Sequence, residues 1–592
     1  MGIVLAIIPF FVISLFNLGT VIFAKRKYGS VLPLSLFAIC LLMFVSQFIF
    51  STFYVAYILV GAFCAFSVFW LAFLAIKHRD RIPEIRRNFL SPGFIISAIL
   101  YVVFLIIFYK TAFTGWDNFS HWGPMVKEML RLDKFYSVPE AAVPFHKDYP
   151  PIVGLFEVFF AKLGGGYSEG IVILAAHVLQ FSVLLPVIEN IKKHTLSKGL
   201  AVAFIATMLT LFMDSHLIFN SIYNDYLIAF LTAFGLYLAI FAERNKFNLI
   251  YLLATILFLS YIKEIAVVFA AVIALAYFIR SLQKQKAQKW YKRLLVPASI
   301  CLIALFGFFS WKFIIRNTET DRQFDLNNAK GKSLICPIIA NCSDDYRNVA
   351  AINFYKAVFT KGITNANVDL SYAQLVAGTS LIFYLIYRRT KRSKDDKNRL
   401  KNIYICYLSG ALIYAGVMFF TYTSLFDDNE GPNLASFNRY MNTYILVGLI
   451  FALYYYVIES IAKDSLALCV LCCALFLVQS PENLERITPN PISYQEQIYA
   501  VNLQTAINQE DEEVIIYYHA LFRYNFFRYF ALDNYFKTKA VPIPEESEEF
   551  IDVIKENSDK RFMLIDFTDE ELEALEEEFG QKFKNGNVFS IE

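Results

Sequence analysis

Charge is what this sequence is short of. Asp, Glu, Lys and Arg make up 18% of its 592 residues, where a soluble domain carries about 25%. Histidine is rarer still, with seven in the chain, and none sits in an H-E-x-x-H or similar ligand spacing. No glycine-rich phosphate loop follows a strand, so nothing marks a nucleotide site. Internal repeats of the kind that build many transporters are missing. The first residues, MGIVLAIIPFFVISLFNLGTVIFAKRKYG, have no basic leader and no small-residue cleavage site. They are expected to be a first span rather than a signal peptide. A net charge of +3 decides nothing by itself, and no nucleic-acid partner is expected.

Nine cysteines are present. Cys40, Cys64, Cys301, Cys406, Cys469, Cys472 and Cys473 lie inside apolar runs and read as small buried hydrophobes. The C-x-x-C-C spacing at 469–473 has no His or acid near it, so it reads as packing rather than as a redox or metal motif. Cys336 and Cys342 stand in a polar loop instead. On an oxidising face they are disulfide candidates, with two free thiols as the other reading.

What the chain has in excess is apolar and aromatic surface. Hydrophobic residues reach 57%, mean hydropathy is +0.48, and there are 60 Phe and 36 Tyr. A span needs roughly 17–25 apolar residues, and Lys and Arg collect in cytoplasmic loops. Fourteen apolar runs alternate with basic loops such as 25–27, 77–87, 192–193, 284–293 and 388–401. The alternation places the first run's start outside and puts residues 111–150 on the external face. Ile152, Leu155, Phe156, Phe159 and Phe160 recur at helical spacing in a run too short to cross. An amphipathic helix lying in the outer interface is therefore expected over 151–163. A second long external loop spans 317–370, with another surface helix at 346–362. The polar tail, 480–592, has strand-like runs VIIYY, FMLID and NVFSI between acidic helical stretches, which predicts a small external α/β domain.

The predicted polar groups converge on one side. They are Asp117, Asn118, His121, His146, Lys147 and Asp148; Asp214, His216, Asn224 and Asp225; Lys263 and Glu264; and Asp427, Asp428, Glu430, Arg439 and Tyr440. Exposed loops are usually charged, which is the plain reading of the acids at 427–430. Lys263-Glu264 differs, because it sits in a tight apolar turn, LSYIKEIAVV. Asp117 differs too, set between Trp116 and Phe119 with His121-Trp122 after it. Carboxylates act as general bases and cations hold phosphates. Both together at a lipid margin suit transfer from a lipid phosphate to a hydroxyl. A divalent cation is a candidate cofactor, bridged by Asp117 and Asp225.

The ordered set of segments resembles the polytopic glycosyltransferases of the GT-C fold, in particular the protein-mannosyltransferase and aminoarabinose-transferase branch. The likeness runs over about 91–285. An acid, Asp117, follows a span; a helix, WGPMVKEMLRLDKFY, comes next; then FHKDYPPIVGLFEVFFAKLGG carries Pro150-Pro151. NDYLIAFLTAFGLYLAIF and LATILFLSYIKEIAVVFAAVIAL resemble later spans with an Asp at the start and a Lys at the turn, and FNRY stands at 437–440. Two departures stand out. Asn118 takes the place of a second acid, and Tyr149 takes the place of a Lys before the proline.

The apolar runs and basic loops predict an all-α polytopic membrane protein of about fourteen transmembrane helices, GT-C-like by the resemblance, with external interfacial helices and the C-terminal α/β domain. Four regions are expected: extra helices at 1–90, a GT-C-like core at 91–285 with loop 111–166, further helices at 286–479, and the external domain at 480–592. The resemblance implies an inverting transferase in the plasma membrane, moving a sugar from a polyprenyl-phosphate donor to a hydroxyl of a cell-surface glycopolymer. Asp117 would be the base, with His121 and Asp225 in the catalytic set. Lys147, Lys263 and Arg439 would hold the donor phosphate. Trp116, Trp122, His146, Tyr149 and Glu264 would surround the sugar and acceptor. The rival readings are a transporter or flippase for lipid-linked saccharides, and a polymerase or ligase acting on them.

Overall fold

The computed structural model describes all residues except 1–3, 144, 215–217, 285–288, 317–334, 344, 390–393, 460–464, 480, 482–494, 510–512, 533–536, 544–549, 558 and 591–592. His216, one of the expected polar groups, lies outside the described residues.

The protein is a polytopic helical membrane protein with a small C-terminal α/β unit. Its helices run α1 Ile8–Ala24, α2 Tyr28–Phe50, α3 Tyr54–Lys77, α4 Ile82–Phe89, α5 Pro92–Phe108, α6 Gly123–Leu132, α7 Ile152–Leu163, α8 Glu169–Ser182, α9 Leu185–Ile188 and α10 Thr195–Phe212. They continue as α11 Asp225–Ile240, α12 Lys246–Ser260, α13 Ala266–Lys284, α14 Trp290–Ile314, α15 Asp345–Thr360, α16 Tyr372–Arg389, α17 Lys394–Phe420, α18 Glu430–Asn433, α19 Phe437–Glu459 and α20 Ser465–Val478. Pro9, Pro92 and Pro124 fall in first turns, where a missing N–H costs no hydrogen bond.

Each apolar run expected to span is helical, but the crossings are fewer by length and composition. Among the described residues nine helices are long and apolar enough to cross a membrane, or ten if α4 and α5, bent by 44°, act as one. Four helices make up the shortfall: α16 ends in Arg388-Arg389, which lowers its mean hydropathy, and three others are short. α11 has 16 residues, α12 has 15 and α20 has 14. At 1.5 Å per residue these reach roughly 21–24 Å, short of a hydrocarbon core of about 30 Å.

The expected interfacial helix exists as α7, but its setting differs. It is not amphipathic. Ile152, Val153, Leu155, Phe156, Glu157, Val158, Phe159, Phe160 and Ala161 are all buried, packed by α2, α6 and α8. A short helix buried over most of its length, Glu157 included, is a core helix rather than a surface one.

Among the described residues, loop contacts gather in two sets. At one end Lys27 meets Glu189, Gln283 meets Asn402 and Arg399 meets Glu459. At the other, Thr52 binds Asp133, Asn365 binds Phe212, Gln479 binds Met208, and Lys312 holds both Asp148 and Glu264. The candidate site lies at this second end.

In the tail, β1 Val514–Tyr518 and β3 Arg561–Ile565 are buried along their whole length. Continuous apolar strands of this kind sit inside a sheet covered on both faces. The order is β2-β1-β3-β4, with β1 parallel to β2 (Thr538–Pro542) and to β3, and β4 (Val588–Phe589) antiparallel at the edge. Helices α21 Gln495–Gln509, α22 Leu521–Phe530, α23 Phe550–Lys555 and α24 Asp569–Phe579 accompany it. The unit docks through α22. Lys127 donates to the Tyr529 carbonyl at 2.9 Å, the Tyr529 hydroxyl donates to Glu169 at 2.9 Å, and Phe119 packs on Phe526 with ring centroids 4.1 Å apart.

Candidate functional site

Two π-helical turns frame the site, Asn118–Trp122 before α6 and Thr421–Leu425 after α17. Such turns are rare and often mark functional places, because the extra residue re-aims its neighbours. The first carries Ser120 and His121 into a cavity of about 770 Å3, and Asp117 at its start lines the same cavity. The second feeds Leu425, Phe426 and Asp427 into the opposite wall.

The Asn118 departure has a structural reason. Its amide Nδ2 donates to the Thr114 carbonyl at 2.5 Å, and its Oδ1 accepts from the Ile222 N–H at 3.2 Å. A carboxylate cannot donate the first bond, so the side chain that ties loop 111–122 to the turn before α11 must be an amide. The Tyr223 hydroxyl accepts from the Asp117 N–H at 2.9 Å and completes this tie.

Asp117 forms an ion pair with Arg439 at the start of α19. Burial works to raise its pKa, but Arg439, with Lys263 beyond, outweighs burial and holds the carboxyl well below the usual carboxylate range. The Arg439 Nη2 also donates to the Tyr440 hydroxyl at 3.1 Å, while its Nε is buried with no hydrogen-bond partner among the described residues. His121 Nδ1 lies 2.8 Å from Ser120 Oγ. Its ring meets His146 edge to face with centroids 4.6 Å apart, and His146 stacks on Tyr149 at 4.8 Å. Burial pushes His121 well below the ordinary imidazole range and His146 down to about 4, which favours the uncharged ring in each. His146 is left-handed (φ 58°), and its buried Nδ1 has no partner among the described residues. A non-glycine residue held there costs energy and often marks a functional position.

Lys263 stands in the turn between α12 and α13. Its ammonium is 3.9 Å from Asp225 Oδ1, too long for a hydrogen bond, and lies over the Tyr149 and Tyr440 rings at 5.9 and 5.4 Å. A buried cation with so little compensation is suited to meet an anion. It also marks a boundary. Beside the polar cavity runs an apolar groove of about 340 Å3, walled by Val267, Val268, Leu305, Phe308, Phe309 and Met418 among others. Tyr149, Lys263, Leu425 and Tyr440 line both spaces.

The expected site residues therefore divide. Asp117, His121, Trp116, His146, Tyr149, Lys263 and Arg439 share the polar cavity. Asp225 and Glu264 line the groove instead, with Asp225 beside Lys263 and Glu264 paired to Lys312. Lys147 turns to the Ala141 carbonyl at 2.7 Å and lines neither space, and Trp122 packs on Tyr149 behind the cavity wall. The carboxylates do not fit a divalent cation, since Asp117 already faces Arg439 and Asp225 faces Lys263. Among the described residues no three His, Cys, Asp or Glu groups converge on a metal position. Tyr346, Phe145, Phe426 and Ser436 also line the cavity. Nothing in the local sequence marked them, because they are uncharged: Phe145 sits beside His146, and Tyr346, Phe426 and Ser436 come from α15 and the segment before α19. Cys336 and Cys342 are joined by a disulfide.

No family description matches the sequence, and no curated protein does. One solved structure with some likeness is titled "Crystal Structure of ArnT from Cupriavidus metallidurans bound to Undecaprenyl phosphate". Identity is 10%, the match covers 83% of this chain and 96% of that one, and the TM-score is 0.37. At that level the likeness assigns no residue a role.

Proposed function

We propose that the protein transfers a sugar from a polyprenyl-phosphate donor to a hydroxyl group of a glycan acceptor on the external face of the plasma membrane. The observation that carries this reading is the junction at Lys263, where a polar cavity and an apolar groove share four residues. An amphiphile with an anionic link between a polar head and an apolar tail fits such a junction. The tail lies in the groove, the phosphate meets Lys263, and the sugar enters beside Trp116, His121 and His146. Arg439 is the second cation within the cavity.

The chemistry then assigns roles. The acceptor oxygen bonds to the anomeric carbon as the bond from that carbon to the phosphate oxygen breaks. The leaving polyprenyl phosphate takes the bonding electrons, and Lys263 and Arg439 neutralise the charge that develops. The acceptor proton passes to Asp117. A carboxylate paired with Arg439 is a weak base, so this step needs the guanidinium to turn toward the phosphate first. Donor binding would then free the base, so that Asp117 becomes basic only when there is something to transfer. Asp225 holds Lys263 rather than reacting, in keeping with its place in the groove.

The test is transfer in membranes supplied with radiolabelled polyprenyl-phosphate sugars, wild type against Asp117→Asn and Lys263→Met. Loss of about 10²–10⁴-fold is expected for the base variant. Undiminished transfer in Asp117→Asn would remove the base assignment, and labelled lipid that is moved across vesicles without transfer would point to a flippase. Reporter tags after residues 115 and 395 read the sidedness, and opposite compartments are expected.

A further inference from the structure

α15 does not cross the membrane, yet both of its faces are apolar. The inner face is accounted for. Ala350, Ala351, Phe354 and Ala357 are buried, and Arg347 reaches from the same face to the Thr423 carbonyl at 2.6 Å and to Ser424 Oγ at 3.1 Å. Asn353 donates to the Pro432 carbonyl at 2.9 Å. The outer face carries Val349, Ile352, Tyr355 and Phe359, all exposed, Phe359 to 67%. These positions recur every three to four residues, so they form one stripe.

A second apolar group stands beside it. The turn Cys336–Ile339 presents Ile338 and Ile339, the latter 66% exposed. The turn is fixed to α15 by three contacts. The disulfide closes it at Cys342, Asn348 exchanges hydrogen bonds of 2.7 and 3.0 Å with the Cys342 backbone, and the Tyr355 hydroxyl donates to the Ile338 carbonyl at 2.9 Å. Turn and stripe therefore make one surface, larger than scattered exposed side chains would be.

The neighbours say what covers it. Tyr355 stacks on Phe419 of α17 with centroids 5.2 Å apart. α17 belongs to a segment long and apolar enough to cross the membrane. Leu412 lies two turns earlier on the same side of that helix and is exposed. The outer stripe of α15 thus continues the lipid-facing surface of a span. Lys356 lies along it and is exposed, where a long basic stem can keep its charge at the headgroups while the apolar residues sit lower.

We propose that this patch, the disulfide-closed turn with the outer face of α15, is seated in the lipid leaflet and anchors the wall of the polar cavity to the membrane. Tyr346 at the start of the same helix lines that cavity, and Arg347 holds the π-turn on its far side. The inference rests on the membrane reading of the helices and does not depend on the transfer chemistry.

The full-length protein in lipid nanodiscs tests it. A small fluorescent amino acid is introduced in place of Ile339, and in separate proteins in place of Phe359, Leu412 and Lys560. Lipids carrying a nitroxide near the headgroup, and iodide in the water, serve as quenchers. Residues 339 and 359 are expected to be quenched by the lipid nitroxide to within about twofold of residue 412 and to be spared by iodide, with residue 560 showing the reverse. Iodide quenching at 339 and 359 would overturn the proposal. So would shielding from both quenchers, which would indicate a protein partner or a second copy. Should the label at 339 prevent folding, the same readout at 352 and 359 decides.

Discussion

Replacing Arg439 with methionine tests the central ion pair directly. Methionine keeps most of the apolar stem and removes the charge. Asp117 would then face a largely buried space with no close cation, since Lys263 is already beside Asp225. Two unit charges about 4 Å apart at an effective dielectric of about 20 attract by roughly 4 kcal/mol. Removing one partner of a buried pair typically costs about 3–5 kcal/mol. Only 8% of the Arg439 side chain and 20% of the Asp117 side chain is exposed, so cavity water tempers the Asp117 side. A loss near 3 kcal/mol is expected for Arg439→Met, a shift of about 150-fold in the unfolding equilibrium. Asp117→Asn leaves the guanidinium unpaired and is expected to cost a similar amount. The double variant removes both charges and should cost about 2 kcal/mol less than the sum. Denaturant titration in detergent, followed by a thiol-reactive dye in protein whose Cys301, Cys469, Cys472 and Cys473 are replaced by alanine, measures this, because Cys40 and Cys406 are buried free thiols. Costs that simply add within about 0.5 kcal/mol would refute the coupling.

Three further outcomes are expected. Lys263→Met should lower kcat/KM for a polyprenyl-phosphate donor by about 10–150-fold, the worth of a charged hydrogen bond; unchanged donor kinetics would move the phosphate elsewhere. Burial holds folded-state His146 at about 4, below its unfolded value of roughly 6.5. The unfolded chain therefore binds the proton first as pH falls, and stability is lost from about pH 6.5 down to 4 at up to about 1.4 kcal/mol per pH unit. His146→Asn, which tolerates the left-handed backbone, should flatten that slope by about one proton in unfolding measured at several pH values. Tyr529→Phe deletes the hydroxyl bonded to Glu169 and should cost about 1–3 kcal/mol, read as earlier release of the C-terminal unit in limited proteolysis.

The fold was legible where one physical rule dominates. Apolar runs became helices, and VIIYY and FMLID became buried parallel strands, because exclusion from water leaves a long apolar segment few choices. β2 was missed since Thr538–Pro542 is half polar and ends in proline, the pattern of an edge strand. Hydropathy does not register helix length, so the fourteen runs include α11 and α12, whose 16 and 15 residues fall short of the usual span. α7 was misplaced for a related reason. Its spacing of Phe and Leu fits one face of a helix, but its other face meets α2, which the local sequence cannot reveal. In the site, Asp117, Lys263 and Arg439 were visible as charges in apolar settings. Their pairing was not, since Asp117 and Arg439 are 322 residues apart. The Asn118 departure also looked like a loss until its two hydrogen bonds gave it a separate task.

The burial of α7 bears on modularity. α2 walls one side of α7, Thr52 binds Asp133 across from α6, and the N-terminal helices share one continuous apolar core with the rest of the bundle. Residues 1–90 are therefore no detachable prefix. Trimming them would bare one side of the helix that follows Pro150-Pro151 and loosen the segment that presents His146 and Tyr149. A shorter protein of the same plan could not arise by deletion alone; it would need a new set of side chains along α7, polar or lipid-compatible, to face whatever replaced α2.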